Sequence, residues 1–164
     1  MKKLKAVILI LLVLWALGRL PFRARDVAEL LPVRTVLIGR EGKIITVDVG
    51  AGAKGTGATL HAALDSLRER VTGKVFFGTA EQVILTEEAA DVLPQALEEP
   101  AFRPAAGIYL TPEEDLDPEA AADYLASHSS NLTLIRCRAL LLEGEDPRVP
   151  VLRRANGGFT VRED

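Results

Sequence analysis

The sequence predicts an α/β or α+β domain: a mixed β-sheet with helices packed on it, preceded by an N-terminal hydrophobic signal or anchor helix. Short aliphatic runs that alternate with amphipathic helical patterns indicate the sheet and its helices. Glycine- and proline-containing turns separate the runs, and a basic, then wholly apolar stretch opens the chain. The length of 164 residues, with 48% apolar and 26% charged side chains, is typical of one folded domain.

The opening segment predicts export. Met1 to Lys5 is basic, and Ala6 to Leu17 has no polar side chain. A helix over that apolar run is about 18 Å long, whereas a bilayer core is about 30 Å thick, which favours the hydrophobic region of a signal peptide. An uncleaved anchor that continues through Gly18 to Phe22 is the alternative. We therefore predict a signal peptide or membrane anchor over residues 1–21 and an extracytoplasmic body, which is secreted if the segment is cleaved.

Charge and cysteine content exclude several classes of protein. Residues 1–20 hold four of the 20 basic residues and no acid, so the remaining body has 16 basic and 23 acidic side chains, a net charge of −7. Such a body repels phosphate backbones, which disfavours nucleic-acid binding. The single cysteine, Cys137, forms no intrachain disulfide, and its apolar surroundings in the sequence predict a small buried residue.

The first half of the body predicts a short helix, a β-hairpin, a glycine-rich loop and a longer helix. The pattern over Ala58–Val71 places its apolar side chains on one face, and Gly73 follows as a cap. A helix over Arg23–Leu31, ended by Pro32, comes first, and strands over Val33–Ile38 and Lys43–Val49 follow around the turn 39–42. A flexible loop over Gly50–Gly57 then leads to the helix over Ala58–Val71.

The stretch KVFFGTAEQVILTEEAA, residues 74–90, predicts two strands that pair with each other. Val75–Phe77 and Val83–Leu85 are the apolar runs, joined by a bend that contains Gly78. Because both runs are apolar, we expect Phe76 and Ile84 to lie in the core, where truncation to alanine costs about 2–5 kcal/mol.

The second half predicts helices, one further strand and a final hairpin. The first helix is capped by Thr86, carries Glu87 and Glu88 in its first turn, and is expected to break or kink at Pro94. A strand over Ala105–Leu110 follows, then a helix start with a capping box at Thr111–Glu114 and a helix from Asp117 through Ala126. The last elements are a helix over Leu134–Leu142 closed by Gly144, and strands over Val149–Arg153 and Phe159–Val161 around Asn156-Gly157.

No pattern of residues predicts a catalytic, cofactor or metal site. Gly50 to Gly55 approaches a dinucleotide fingerprint, but the helix starts too late and no strand ending in an acid follows at the required distance. His61 and His128 stand far apart without a cysteine pair, and the residues around His128 lack nucleophile-elbow glycines. Neighbouring carboxylates do not converge on one helical face. The residues alone therefore predict an exported α/β domain with no visible active site and no cofactor site.

Three segments carry a family pattern. The first segment, residues 25–49, is an acidic and aliphatic stretch that leads into a hairpin. The second, residues 57–100, contains a helix, an aromatic strand, a turn, an aliphatic strand and the Glu-Glu-x-Ala start of a further helix. The third, AFRPAAGIYLTPE, is an alanine-rich strand that follows an arginine. In type and order they resemble the N-terminal domain of the Ger(x)C family, the C subunits of bacterial spore germinant receptors. The resemblance covers roughly Arg25 to Leu142.

The chain departs from that family at three points. Arg19 stands where members carry the lipobox cysteine, and Thr79 stands where members often have histidine. The sequence also ends soon after the hairpin that closes at Val161, where members continue into further domains. These departures indicate a truncated paralogue, a gene fragment or a freestanding first domain.

The resemblance implies a non-enzymatic subunit on the outer face of the spore inner membrane. It would assemble with integral-membrane germinant receptor subunits and respond to nutrients. The domains would be the signal or anchor over 1–21, a Ger(x)C-like domain over 22–146 and a C-terminal hairpin or tail over 147–164. The alternatives are a secreted or anchored small-ligand-binding module unrelated to sporulation, with Gly50–Gly57 as a mobile binding loop, and an extracytoplasmic hydrolase built from scattered carboxylates.

Overall fold

The structure is a computed structural model that describes residues 30–155 and 157–162. The predicted signal or anchor over residues 1–21 and most of the helix predicted over Arg23–Leu31 lie outside this part. The described strands are β1 (Leu30–Pro32), β2 (Thr35–Glu41), β3 (Ile44–Asp48), β4 (Lys54–Gly57), β5 (Lys74–Phe76), β6 (Gln82–Thr86), β7 (Gly107–Thr111), β8 (Val151–Ala155) and β9 (Gly158–Arg162). The described α-helices are α1 (Leu60–Arg70), α2 (Leu93–Glu98), α3 (Pro118–Leu125) and α4 (Leu134–Leu142).

A mixed sheet of seven strands forms the centre of the described fold. Its order is β4-β3-β2-β6-β7-β8-β9, and β2, β6, β7 and β8 run parallel. The flanking strands β3, β4 and β9 are antiparallel to their neighbours. β1 and β5 form a separate two-stranded parallel ladder. The predicted fold class, a mixed sheet with helices packed on it, is confirmed for the described residues.

Helices cover both faces of the sheet, and side chains alternate between the two faces along each strand. On one face, Val83 and Leu85 of β6 pack in a core with α1, α2 and α4. On the other face, Ile84 of β6 and Tyr109 of β7 pack against α3. This burial on both sides explains why β6 reads as a continuous apolar run. No helix in the described part of the chain is long and apolar enough to cross a membrane.

Several predicted elements are confirmed. The hairpins β2–β3 and β8–β9 form, although β2 continues through Glu41 and the first turn lies at 42–43. Helix α1 buries Leu60 and Leu64 on its predicted face. Pro94 marks the expected break, because a 3₁₀ helix over Glu87–Val92 gives way there to α2.

Two strands were missed by the sequence-based assignment. Leu30–Pro32 is a strand rather than the end of a helix, because it pairs in parallel with Lys74–Phe76. Lys54–Gly57 is a strand rather than part of a flexible loop, because it pairs with β3 and lies against α1. Both assignments depend on partners that are distant in sequence.

The predicted pairing of the two strands in residues 74–90 is wrong. β5 pairs with β1, whereas β6 pairs with β2 and β7. A 3₁₀ turn over Phe77–Thr79 separates the two strands and turns Phe77, rather than Phe76, into the core. Phe76 is therefore exposed, and only Ile84 lies where we expected it.

Two predicted helix caps do not form as expected. The buried hydroxyl of Thr86 makes no hydrogen bond with a described residue, although Glu87 and Glu88 occupy the first turn of the 3₁₀ helix. Thr111 ends β7, and the next helix begins only at Pro118. Glu113 hydrogen-bonds both Thr111 and the backbone N–H of Arg154, so it ties this segment to β8 instead of starting a helix.

Candidate functional site

The glycine-rich segment over Gly50–Gly57 has a structural role. Gly50 and Gly52 have positive φ in a tight turn, closed by a hydrogen bond of 2.9 Å from the Ala53 N–H to the Gly50 carbonyl. Lys54 follows at the start of β4 and pairs with Asp48 at 2.8 Å. The prediction of a flexible loop is therefore wrong for Lys54–Gly57, which forms β4, and Gly55 and Gly57 there allow close contact with α1.

The two histidines occupy separate elements. His61 lies on α1, with Nδ1 3.3 Å from Glu99 and Nε2 3.5 Å from Asp65. His128 follows α3 and stacks on Tyr124 with ring centroids 4.3 Å apart. The described residues contain no group of three His, Cys, Asp or Glu side chains that could hold a metal ion.

The loop around His128 is anchored to the core by hydrogen bonds. The backbone N–H of Ser130 donates to the Tyr109 hydroxyl at 2.8 Å, and the Ser130 hydroxyl accepts from the Leu132 N–H at 3.0 Å. His128 Nδ1 lies 3.0 Å from the Tyr124 carbonyl oxygen. His128 and Ser130 are thus each bonded to backbone groups, as expected of a structured loop.

Cys137 lies fully buried on the inner side of α4. Burial raises the pKa of its thiol, which keeps the thiolate scarce and the side chain unreactive. The prediction of a small buried residue is confirmed.

Exposed apolar side chains concentrate at two places. One is the β1–β5 ladder, where Leu31 and Phe76 are exposed. The other is α4, where Ile135 is 60%, Leu141 43% and Leu142 80% exposed; we call these three residues the α4 surface. Ile135 and Leu142, seven residues apart, lie on one stripe away from buried Cys137, whereas Leu141 follows Cys137 by four residues and lies nearer the buried side.

The α4 surface was missed because the apolar run over Leu134–Leu142 was taken only as a sign of a helix. The run carries apolar residues all round the helix, whereas a helix that covers a sheet needs an apolar stripe on one side. That excess is the sequence signal that could have identified the α4 surface. Clustered exposed apolar residues are typical of protein contact surfaces.

No family model, no curated protein and no solved structure matches the chain. The resemblance of Arg25–Leu142 to the Ger(x)C family therefore stays a prediction, and the fold class rests on the described residues themselves.

Proposed function

We propose that this protein is an exported, membrane-associated, non-enzymatic subunit that acts in nutrient-triggered spore germination by assembling with integral-membrane receptor subunits. The observation that carries the proposal is the ordered resemblance of three segments between Arg25 and Leu142 to the Ger(x)C N-terminal domain. The basic and apolar segment over residues 1–21 adds the means of export.

The position of β1 suits a body that stays close to a membrane. Eight residues separate the predicted anchor, which ends at residue 21, from β1, which begins at Leu30. Eight residues span at most about 30 Å. An uncleaved anchor would hold the β1–β5 ladder, with exposed Leu31 and Phe76, within that distance of the bilayer.

The α4 surface suits assembly with a partner subunit. Three large apolar side chains lie exposed on one helix, where burial against a partner would remove them from water at about 25 cal/mol per Å². Such an apolar centre surrounded by polar groups is typical of stable protein interfaces. The α4 surface would therefore contact a partner, while the inner side of α4 holds the fold together.

Co-isolation from spore membranes tests the proposed assembly. The full chain with a C-terminal tag would be crosslinked in dormant spores of its native host, and the captured proteins identified by mass spectrometry. We expect integral-membrane receptor subunits, and we expect the double variant Ile135→Ser/Leu142→Ser to capture at least about fivefold less of them.

The matched control is Ile44→Ser, because Ile44 is an exposed apolar residue on β3, away from α4. It should leave capture unchanged. Capture of no integral-membrane protein, or an equal loss with Ile44→Ser, would contradict the proposed assembly.

A further inference from the structure

A cleft lies beside β7, on the side where two backbone N–H groups of that strand bond to two different chain segments. The Ile108 N–H donates to the Leu132 carbonyl at 3.2 Å, and the Leu110 N–H donates to the Pro150 carbonyl at 2.9 Å. The cleft between these segments has a volume of about 470 Å³, and its lining includes Ser130, Arg136, Leu140, Pro147 and Arg148. This volume falls in the usual range for small-molecule sites.

The lining of the cleft carries two guanidinium groups and no carboxylate. Neither Arg136 nor Arg148 forms an ion pair or a side-chain hydrogen bond with another described residue. Four other arginines each pair with an aspartate: Arg34, Arg40, Arg68 and Arg154. The cleft therefore presents two guanidinium groups without an ion-pair partner among the described residues, in a body that is acidic overall.

Hydrogen bonds constrain the backbone of both walls of the cleft, one by reaching the buried Tyr109 and the other locally within the exposed segment at Asp146. Ser130 is fixed by the buried Tyr109 hydroxyl, and Asp146 accepts a hydrogen bond of 3.1 Å from the Arg148 N–H. Arg148 has a φ of +41°, a conformation that bulky residues rarely adopt, and Pro147 precedes it. The two arginines are thus presented by constrained backbone on two different segments.

Two other clefts in the described residues differ from it in the charges that line them. In the cleft formed by residues 51–54 and 70–71, Lys54 pairs with Asp48, and Arg70 is the single arginine of the lining. In the cleft between β2 and α3, Arg34 pairs with Asp123. The cleft beside β7 differs from these two because it presents two arginines without carboxylate partners among the described residues.

We propose that the cleft beside β7 binds a small organic anion. The guanidinium groups of Arg136 and Arg148 would hold its carboxylate or phosphate, since their planar forks match the oxygens of either group. The Ser130 hydroxyl, which accepts from Leu132, keeps its own O–H free to donate to the ligand. An apolar part of the ligand would lie on Leu140 and Pro147. This site is independent of the α4 surface, because Arg136 and Leu140 lie on another flank of α4.

Titration of the full chain in mild detergent tests the site. Succinate and inorganic phosphate are the two test anions, each added at constant ionic strength set with chloride and followed by isothermal titration calorimetry. We expect saturable binding of at least one anion, and Arg136→Gln and Arg148→Gln should each weaken it about tenfold or more. Binding of succinate alone would define a carboxylate site, and binding of phosphate alone a phosphate site.

Arg138→Gln is the matched control, because Arg138 is exposed on the same helix but does not line the cleft. It should leave the affinity unchanged, and all three variants should unfold at the wild-type temperature. The proposal is overturned if neither anion binds saturably, if the Arg136→Gln/Arg148→Gln double variant binds as well as wild type, or if Arg138→Gln weakens binding equally.

Discussion

Gly55 of β4 lies so close to Ala63 of α1 that a β-carbon on Gly55 would stand 2.2 Å from the Ala63 carbonyl oxygen. A β-carbon on Gly57 would stand 2.5 Å from the Ala63 N–H nitrogen. The strand and the helix are therefore in backbone contact, which only glycine permits. This contact gives a structural reason for the glycine-rich stretch before α1.

Gly55→Ala should destabilise the protein strongly. The added methyl group would force β4 and α1 apart, so we expect the free energy of unfolding to fall by about 2–4 kcal/mol. Urea unfolding of the full chain in mild detergent, followed by circular dichroism, measures this change. Gly158→Ala is the control, since its nearest neighbour would be the Ala155 carbonyl at 3.9 Å, and it should change stability by less than about 0.5 kcal/mol. Equal stability of the two variants would contradict the β4–α1 contact.

Ile84→Ala and Phe76→Ala should differ, although the sequence predicted the same cost for both. Ile84 is 0% exposed in the centre of the sheet, whereas Phe76 is 47% exposed on the β1–β5 ladder. We expect Ile84→Ala to cost about 2–5 kcal/mol. Phe76→Ala should cost less than about 1 kcal/mol, because much of its ring already contacts water. Thermal and urea unfolding compare the two, and a larger loss with Phe76→Ala would be inconsistent with the observed register.

Glu113→Gln should destabilise the protein in a pH-dependent way. Burial raises the pKa of Glu113, but hydrogen bonds from the Arg154 N–H and the Thr111 hydroxyl outweigh it, so the pKa lies below the ordinary value of 4.5. A carboxylate whose pKa is lower in the folded state stabilises the fold above its unfolded pKa, and this contribution is lost as pH falls through the folded pKa.

The variant should therefore lose about 1 kcal/mol at pH 7 and progressively less below pH 4.5. Urea unfolding at a series of pH values measures the difference. Glu114→Gln, at an exposed neighbour without a hydrogen bond to a described residue, should have little effect at any pH. A loss with Glu113→Gln that is the same at pH 7 and pH 3 would rule out the charged hydrogen bonds as its cause.

Cys137 should resist alkylation in the folded protein. Its side chain is buried and its thiol pKa is raised by that burial, so iodoacetamide requires an opening of α4 to reach a thiolate. We expect modification at pH 8 to be at least about a hundredfold slower than in urea-unfolded protein. Mass spectrometry follows the reaction, because the chain has a single cysteine. Rapid labelling without denaturant would show that α4 does not stay packed on the sheet.

Local signals account for the elements that the sequence predicted well. The Asn-Gly pattern predicted the hairpin that β8 and β9 form, and Asp117 caps α3 by accepting from the Glu119 N–H. The helix over Leu134–Leu142 follows Thr133, whose hydroxyl accepts from the Arg136 N–H. Each of these features joins residues that are close in sequence, so spacing alone predicts it.

Features that depend on distant contacts were not predictable in the same way. The strand at Leu30–Pro32 exists because Lys74–Phe76 lies beside it, and a periodicity argument cannot supply that partner. Whether Phe76 or Phe77 faces the core depends on the 3₁₀ turn between β5 and β6. Arg136 and Arg148 both line the cleft beside β7 but lie on separate segments, so no spacing in the sequence predicts that they share a cleft.

Localisation of the tagged full chain in its native host tests the proposed function most directly. Vegetative cells, dormant spores and culture medium would be fractionated, and the spore membranes washed with carbonate to remove peripheral proteins. The proposal predicts the chain at full length in the washed spore inner membrane. Recovery from vegetative medium, shortened by about the length of residues 1–21, would contradict the proposal and indicate a secreted domain without a role at the spore membrane.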